Sequence, residues 1–480
     1  MGSGPNGLAA ALTLARAGLR VEVREAADTP GGGLRTEPLF RPDVVHDICA
    51  AVHPMATASP FFRAFDLPAR GVELLTPEIS YAHPVTPTRA ALAHRRLDAT
   101  CEHLGPEDGP RWRALMEPLL RHSQGLVDFV MSGQRTFPAD LAAPLLLARG
   151  LLAHGTPLAA HRFRRPEAAA LLSGVAAHVV GPMPTPSSAS VALLLGHLAH
   201  TAGGWPVPRG GSARIAAAMT DDLTAHGGTV TTGARLDDLR ELRGARAVLL
   251  DLGPKEFLRV AGPLMPPAYR RALTRFRHGP GAAKVDFLVN GPVPWADPLV
   301  GRAGTVHLGG TQQQVFAQES LVAKGFPGDA PFVLVVDPSA ADRSRVAADG
   351  HRPLWAYAHV PHGDRTDPAD AVTARIEQYA PGFAETVVDR RSVSAAALEA
   401  YNPNYVGGDI AAGAMTLRQA LFRPVPAWDP HRTPFKGVYL CSASTPPGPG
   451  VHGMSGYLAA RSALRREFGV RTAPGLSPAR

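Results

Sequence analysis

Cysteine is nearly absent: Cys49, Cys101 and Cys441 are the only three in 480 residues. So few, so far apart, exclude a disulfide scaffold. No CxxC occurs, which removes a thioredoxin-like dithiol and a cysteine-rich zinc site. The 19 His include no HExxH and no helical HxxxH pair, so no metal is expected. Long apolar runs are also missing. The longest, residues 141–152, is broken by Pro144, Arg149 and Gly150, whereas a bilayer span needs about 20 apolar residues. Lysine is scarce: four Lys leave 45 Arg among the 49 basic residues, set against 41 acidic ones, for a net charge of +8. The basic residues form no stripe interleaved with aromatics, so nucleic acid is not an expected partner. Weak attraction to an anionic membrane surface stays open as a use for the charge. Hydrophobic residues at 45% and charged residues at 19% fit a globular, cytoplasmic protein. The length allows two or three domains of about 150 residues each.

What is present begins at once. Gly2-Ser3-Gly4-Pro5-Asn6-Gly7 is a GxGxxG. Gly2 permits the tight turn, Gly4 lets a pyrophosphate approach, and Gly7 allows a helix to lie against a strand. An Ala- and Leu-rich helix follows, stopped at Gly18, then a strand over residues 19–24. Glu25 stands at the strand's end, where a carboxylate accepts hydrogen bonds from ribose hydroxyls. These features predict a dinucleotide site. Gly31 and Gly32 follow the acid closely. Residues 437–466 read as strand, Gly/Pro turn and helix, and place Gly450, Val451 and Met454 at a second helix start. Such a helix end would stabilise negative charge on a reduced flavin ring, favouring FAD over NAD.

The order of segments predicts an α/β fold. A discontinuous Rossmann-like FAD-binding domain (residues 1–75, 201–282 and 421–470) carries an interleaved α+β substrate domain (76–200 and 283–420). Residues 75–200 read as mostly helical, with helices at 111–130 and 140–153, and 471–480 as a disordered tail. A phosphate loop normally follows a first, central strand of about five or six residues. Here Met1 directly precedes Gly2, so that strand is missing, and the natural chain is expected to begin upstream.

These residues resemble the FAD-dependent oxidoreductases of the phytoene desaturase and amine oxidase superfamily. Across residues 2–468 the chain is most similar to the subgroup that contains pyridine nucleotide-disulfide oxidoreductase domain-containing protein 2. The closer match lies in residues 279–286, 304–310, 401–409 and 440–456. The resemblance implies hydride transfer from a small lipophilic substrate to flavin N5, with FAD held by Gly2, Gly4, Gly7, Glu25, Gly31, Gly32, Gly450, Val451 and Met454. Where the superfamily often has Arg after the paired glycines, this chain has Gly33, with Arg35 offset by two. The lack of a cysteine pair gives no support for disulfide chemistry.

Catalytic residues are not fixed by the sequence. His307, Tyr405 and Asp409 are candidates for the substrate side. Lys284 and Asp286 share a strand face and are expected to pair. Flavin amine oxidation is the alternative chemistry, although the 8 Tyr and 5 Trp show no pairing that would build an aromatic cage. A flavin-bound interaction or regulatory protein is the non-enzymatic alternative. The apolar segments at 145–152 and 191–198 are core, or, where exposed, a substrate tunnel or a membrane contact.

Overall fold

A computed structural model describes residues 1–133 and 137–478. The helix Pro5–Arg16 starts with Pro at its first position, where the missing N–H costs nothing. It ends at Gly18, whose φ is +80°; Leu19 N–H closes the turn on Leu14 O at 3.3 Å. Small residues let it sit tightly between helices Ala213–Ala225 and Met454–Glu467. A Cβ at Gly456 would lie 1.8 Å from Asn6 O, so only glycine allows these two helices to approach so closely.

Beside these helices run short parallel pairs. Glu22–Arg24 pairs with Thr229–Thr231, and Val438–Leu440 with Val248–Leu250. Met1 and Gly2 join them. The Met1 amine donates to Leu249 O at 2.8 Å, Met1 O accepts from Asp251 N–H at 2.8 Å, and Gly2 N–H donates to Arg24 O at 2.8 Å. Met1 and Gly2 thus bridge the two parallel pairs, between Arg24 and residues 249–251.

A second, seven-stranded sheet has the order Val387–Val393, Gly281–Val289, Arg352–Val360, Val333–Val336, Ala303–Leu308, Ile79–Thr86, Arg89–His94. All neighbours are antiparallel except Ala303–Leu308 and Ile79–Thr86. Its faces follow the two-residue period of a strand. Val285, Phe287, Val335, Leu354 and Ala356 pack toward Val372 and Ile376 of helix Ala369–Glu377. Ala282, Leu334, Val336 and Tyr357 face the opposite way, toward helices Pro166–Ala176 and Pro186–Leu198.

One expectation is refined and another corrected. Residues 75–200 are mostly helical, as expected, but 79–94 form a hairpin that extends this sheet. The alternating apolar residues of Ile79–Thr86 and the turn before Arg89 carried that signal. Nor do residues 471–478 trail away; 479 and 480, the rest of the expected tail, lie outside the described residues. Leu476 is buried in the core around Leu12, and Arg16 and Arg70 donate to the carbonyls of Gly475, Leu476 and Ser477. Among the described residues no helix is long and apolar enough to cross a membrane.

Candidate functional site

A cavity of about 830 Å³ runs from the glycine turn to the inner face of the large sheet. At one end Gly2, Gly4, Glu25, Gly32, Gly450 and Val451 line it. The two glycine segments meet there: a Cβ on Gly32 would lie 2.9 Å from Gly4 Cα, and Gly31 N–H bonds Ser3 O at 3.1 Å. A cradle that Cβ atoms would fill is what a pyrophosphate requires. Glu25 is buried at the rim. One carboxylate oxygen accepts from Ser3 N–H (2.8 Å) and Ser3 Oγ (2.6 Å); the other accepts from Ala27 N–H (2.9 Å) and faces Arg35 at 3.5 Å. Arg35 also lines the cavity and is anchored by Thr29 O and the Tyr401 hydroxyl.

Gly7, Gly31 and Met454 stand one layer behind the wall. Gly7 fits because a Cβ there would meet Gly2 O at 2.1 Å. The Met454 N–H is already donated to His452 Nδ1 at 3.0 Å, so the second helix start presents Gly450 and Val451 rather than Met454 to the cavity.

One residue of this end was not anticipated. Asp251 closes the apolar strand Val248–Leu250, lines the cavity, and its Oδ2 accepts from Gly7 N–H at 3.1 Å. Burial pushes its carboxyl up to about 7, with Glu25 adding to the shift and the Gly7 N–H and Met1 amine opposing it. An acid ending a hydrophobic strand was the signal available. Asn404 ties this strand end to the 402–409 loop, accepting from Gly253 N–H at 2.7 Å and donating to Asp251 O at 3.0 Å.

The other end is built on cross-strand rows. Lys284 pairs with Tyr357 and Tyr357 with Leu334, while Trp355 pairs with Val336 and Val336 with Thr305. All six side chains line the cavity, joined by Trp205, His178, Leu194 and Phe129. Lys284 is buried and makes the expected pair, donating to both oxygens of Asp286 at 2.6 and 2.7 Å and to Asp47 O at 3.2 Å. Trp355 and Tyr357 do come together, edge to face with centroids 5.2 Å apart; that pairing across two residues of one strand corrects the expectation of unpaired aromatics.

The three catalytic candidates separate. Tyr405 lines the cavity, its hydroxyl toward Cys49 and Gly33, and burial raises it well above the usual tyrosine range. Asp409 does not line it: its carboxylate accepts N–H bonds from Gly279, Ala411 and Gly413 at 2.8–2.9 Å and braces the loop. His307 is also behind the wall, its Nε2 2.9 Å from Nε2 of the cavity-lining His178. Burial pushes His178 down to about 3 and His307 well below the usual histidine range, so both are neutral. Cys49 lines the cavity with a thiol that burial raises to about 11. No group of three or more His, Cys, Asp or Glu among the described residues is placed to hold a metal.

Known proteins place this geometry. Pyridine nucleotide-disulfide oxidoreductase domain-containing protein 2 of Rattus norvegicus is 27% identical over 301 residues, 53% of this chain and 50% of that protein. Its Mus musculus counterpart is 29% identical over 262 residues, 48% and 44% of the two chains. The chain thus spans about half the length of the curated relatives it matches. Over nearly the full length the fold is similar to an oxidoreductase of Methanosarcina mazei (TM-score 0.60, 14% identity, covering 97% and 99% of the two chains). It is also similar to cyclohexylamine oxidase of Brevibacterium oxydans (TM-score 0.57, 15% identity, 97% of each). The profile of the flavin-containing amine oxidoreductases matches residues 6–464. The glycine cradle and the acid at its rim fit the FAD that this family carries, and the chain belongs to the flavin-containing amine oxidoreductase family.

Proposed function

We propose that this flavoenzyme dehydrogenates a small lipophilic substrate by hydride transfer. Bound FAD supplies the hydride-accepting centre. The observation that carries the substrate class is the distribution of charge along the cavity. Its acidic lining residues are Glu25, Asp251 and Glu256, all at the dinucleotide end. The far end is lined by Phe129, Leu194, Trp205, Leu334, Val336 and Trp355, with Lys284 as its cation and no acid among the described residues. An ammonium substrate entering there would lose its hydration without gaining a counter-charge. A neutral apolar molecule meets no such cost, and burial of its surface favours binding.

Within this reading each wall has a task. Trp205, Trp355 and Tyr357 fix the plane of a flat or extended substrate. Neutral His178 offers a polar edge without a charge, its orientation set by His307 behind it. Asp286 and Asp47 O hold the Lys284 ammonium against the sheet. We read residues 1–75, 201–282 and 421–470 as the segments serving the cofactor and the remainder as serving the substrate.

A second reading, amine oxidation, is favoured by the Trp355–Tyr357 pair and by the family's name. Anaerobic bleaching of the bound flavin against lipid, polyene and amine libraries decides between them. Bleaching by neutral lipophilic compounds is expected. Bleaching by amines alone would replace the first reading with the second.

A further inference from the structure

The helix Ala142–His154 has two apolar faces, and the cavity uses only one. Leu147 lines the cavity and Ala143 is buried beside it. The opposite face is open to solvent: Leu145 is 71% exposed and Leu152 is 68% exposed, flanked by Leu141 at 59% and Leu158 at 56%. The positions 141, 145 and 152 recur at helical spacing, so these leucines form one stripe rather than scattered exposures.

The charge around the stripe is mainly of one sign, with Asp140 and Glu167 bounding it. Residues 141–166 contain Arg149, Arg162, Arg164 and Arg165 and not one Asp or Glu. All four arginines are exposed. Arg165 has Glu167 at 3.9 Å, and Arg162 donates to Ala153 O at the end of the helix. Arg149 has no carboxylate partner among the described residues.

We infer that this face docks the protein on an anionic lipid surface. Leucines entering the acyl boundary with arginines at headgroup level is how an interfacial helix binds. The exposed arginines select the occupant. A second copy of the chain would bring identical arginines face to face, and the two acids that bound the stripe are already engaged, Asp140 by His122 and Glu167 by Arg89 and Arg165. The inference rests on exposure and charge, not on the identity of the substrate, so a failed substrate screen leaves it standing and its own failure leaves the substrate reading standing.

The test is co-sedimentation of the flavin-loaded protein with vesicles. One set is phosphatidylcholine alone; the other is equal parts phosphatidylcholine and phosphatidylglycerol. Binding to the anionic set is expected, weakening as salt screens the arginines. Leu145→Ser with Leu152→Ser should reduce it by at least about tenfold per leucine, with flavin absorbance and circular dichroism unchanged. Arg149→Glu with Arg164→Glu should reduce it as well. Absence of binding to the anionic vesicles overturns the proposal. So does binding that survives both double variants. Self-association in sedimentation velocity that the leucine variant abolishes would assign the face to a second copy and overturn it too.

Discussion

Glu25 is held by Ser3, Ala27 and Arg35 before any ligand arrives. Because those partners are protein groups, loss of its side chain is expected to cost the fold as well as affinity. Glu25→Ala removes a charged acceptor, and each hydrogen bond to such a group contributes about 1.5–3 kcal/mol. FAD affinity should fall by at least about tenfold in a titration of apoprotein, and the melting temperature of the apoprotein should fall too, because Ser3, Ala27 and Arg35 lose their acceptor. Unchanged affinity would mean that the ribose lies elsewhere.

Asp251 carries the opposite sign of effect. Its folded-state pKa, about 7, is raised above the ordinary value of 3.8. The folded form therefore holds a proton that the unfolded chain has released between those two values, and stability is greatest below the window and declines as pH rises through it. Ionised, the carboxylate also stands beside the turn that receives an anionic pyrophosphate. Asp251→Asn should raise the melting temperature at about pH 8 and, by a smaller amount, at about pH 5, which already lies inside the window, and should raise FAD affinity at about pH 8 but not at about pH 5. A variant that behaves identically to the parent at both values would contradict this placement of charge. Cys49 supplies a further residue-scale expectation. A thiol raised to about 11 is a poor nucleophile, and Cys441 is buried on its strand. Acid precipitation should therefore release yellow FAD into the supernatant; flavin retained in the pellet would point to a covalent tether.

At the scale of elements, the contact between Pro5–Arg16 and Met454–Glu467 joins the two ends of the chain. Gly456 sits on Asn6 O with no room for a methyl group. Gly456→Ala must push the helices apart, and overpacking of this kind costs about 1–3 kcal/mol. The melting temperature should fall by several degrees, about 2–4 °C for each kcal/mol in a large domain, and FAD affinity should fall with it because Gly450 and Val451 precede the displaced helix. Loss of stability with full affinity would show that the turn is positioned independently of the helix. The same elements show what was legible beforehand. The helix after the GxGxxG, its stop at Gly18 and the strand ending before Glu25 all follow from local spacing. The alternation of the hairpin Ile79–Thr86 with Arg89–His94 is present in the sequence, but the strand that Ile79–Thr86 joins in the sheet, Ala303–Leu308, lies more than two hundred residues away. Local periodicity carries no record of such a partner.

For the whole molecule, the cavity is assembled from distant parts: the first turn, the strand end at Asp251, the 401–415 loop, the C-terminal turn and the sheet. A ligand spanning them should stabilise the fold as a unit. FAD at about one hundred times its dissociation constant adds about 2.7 kcal/mol. Titration should therefore raise the melting temperature of the apoprotein, and Glu25→Ala should need a higher FAD concentration for the same shift. A melting temperature that stays flat across the FAD titration would show that the cavity is not the FAD site.

The sequence alone determined the features set by neighbours along the chain. These are the glycine turn and its acid, the Lys284–Asp286 pair that alternation places on one face, and the lack of cysteine pairs. Only the tertiary structure decided which residues face the ligand. It drew Asp251 up to the glycine turn, set Trp355 and Tyr357 in the cavity, and withdrew His307 and Asp409 behind its wall. It also turned Leu145 and Leu152 outward while Leu147, between them in sequence, faces in. The physical reason is that hydrophobic burial and hydrogen bonding depend on what lies across a contact, and for these residues the partners are a hundred or more positions away or on another element.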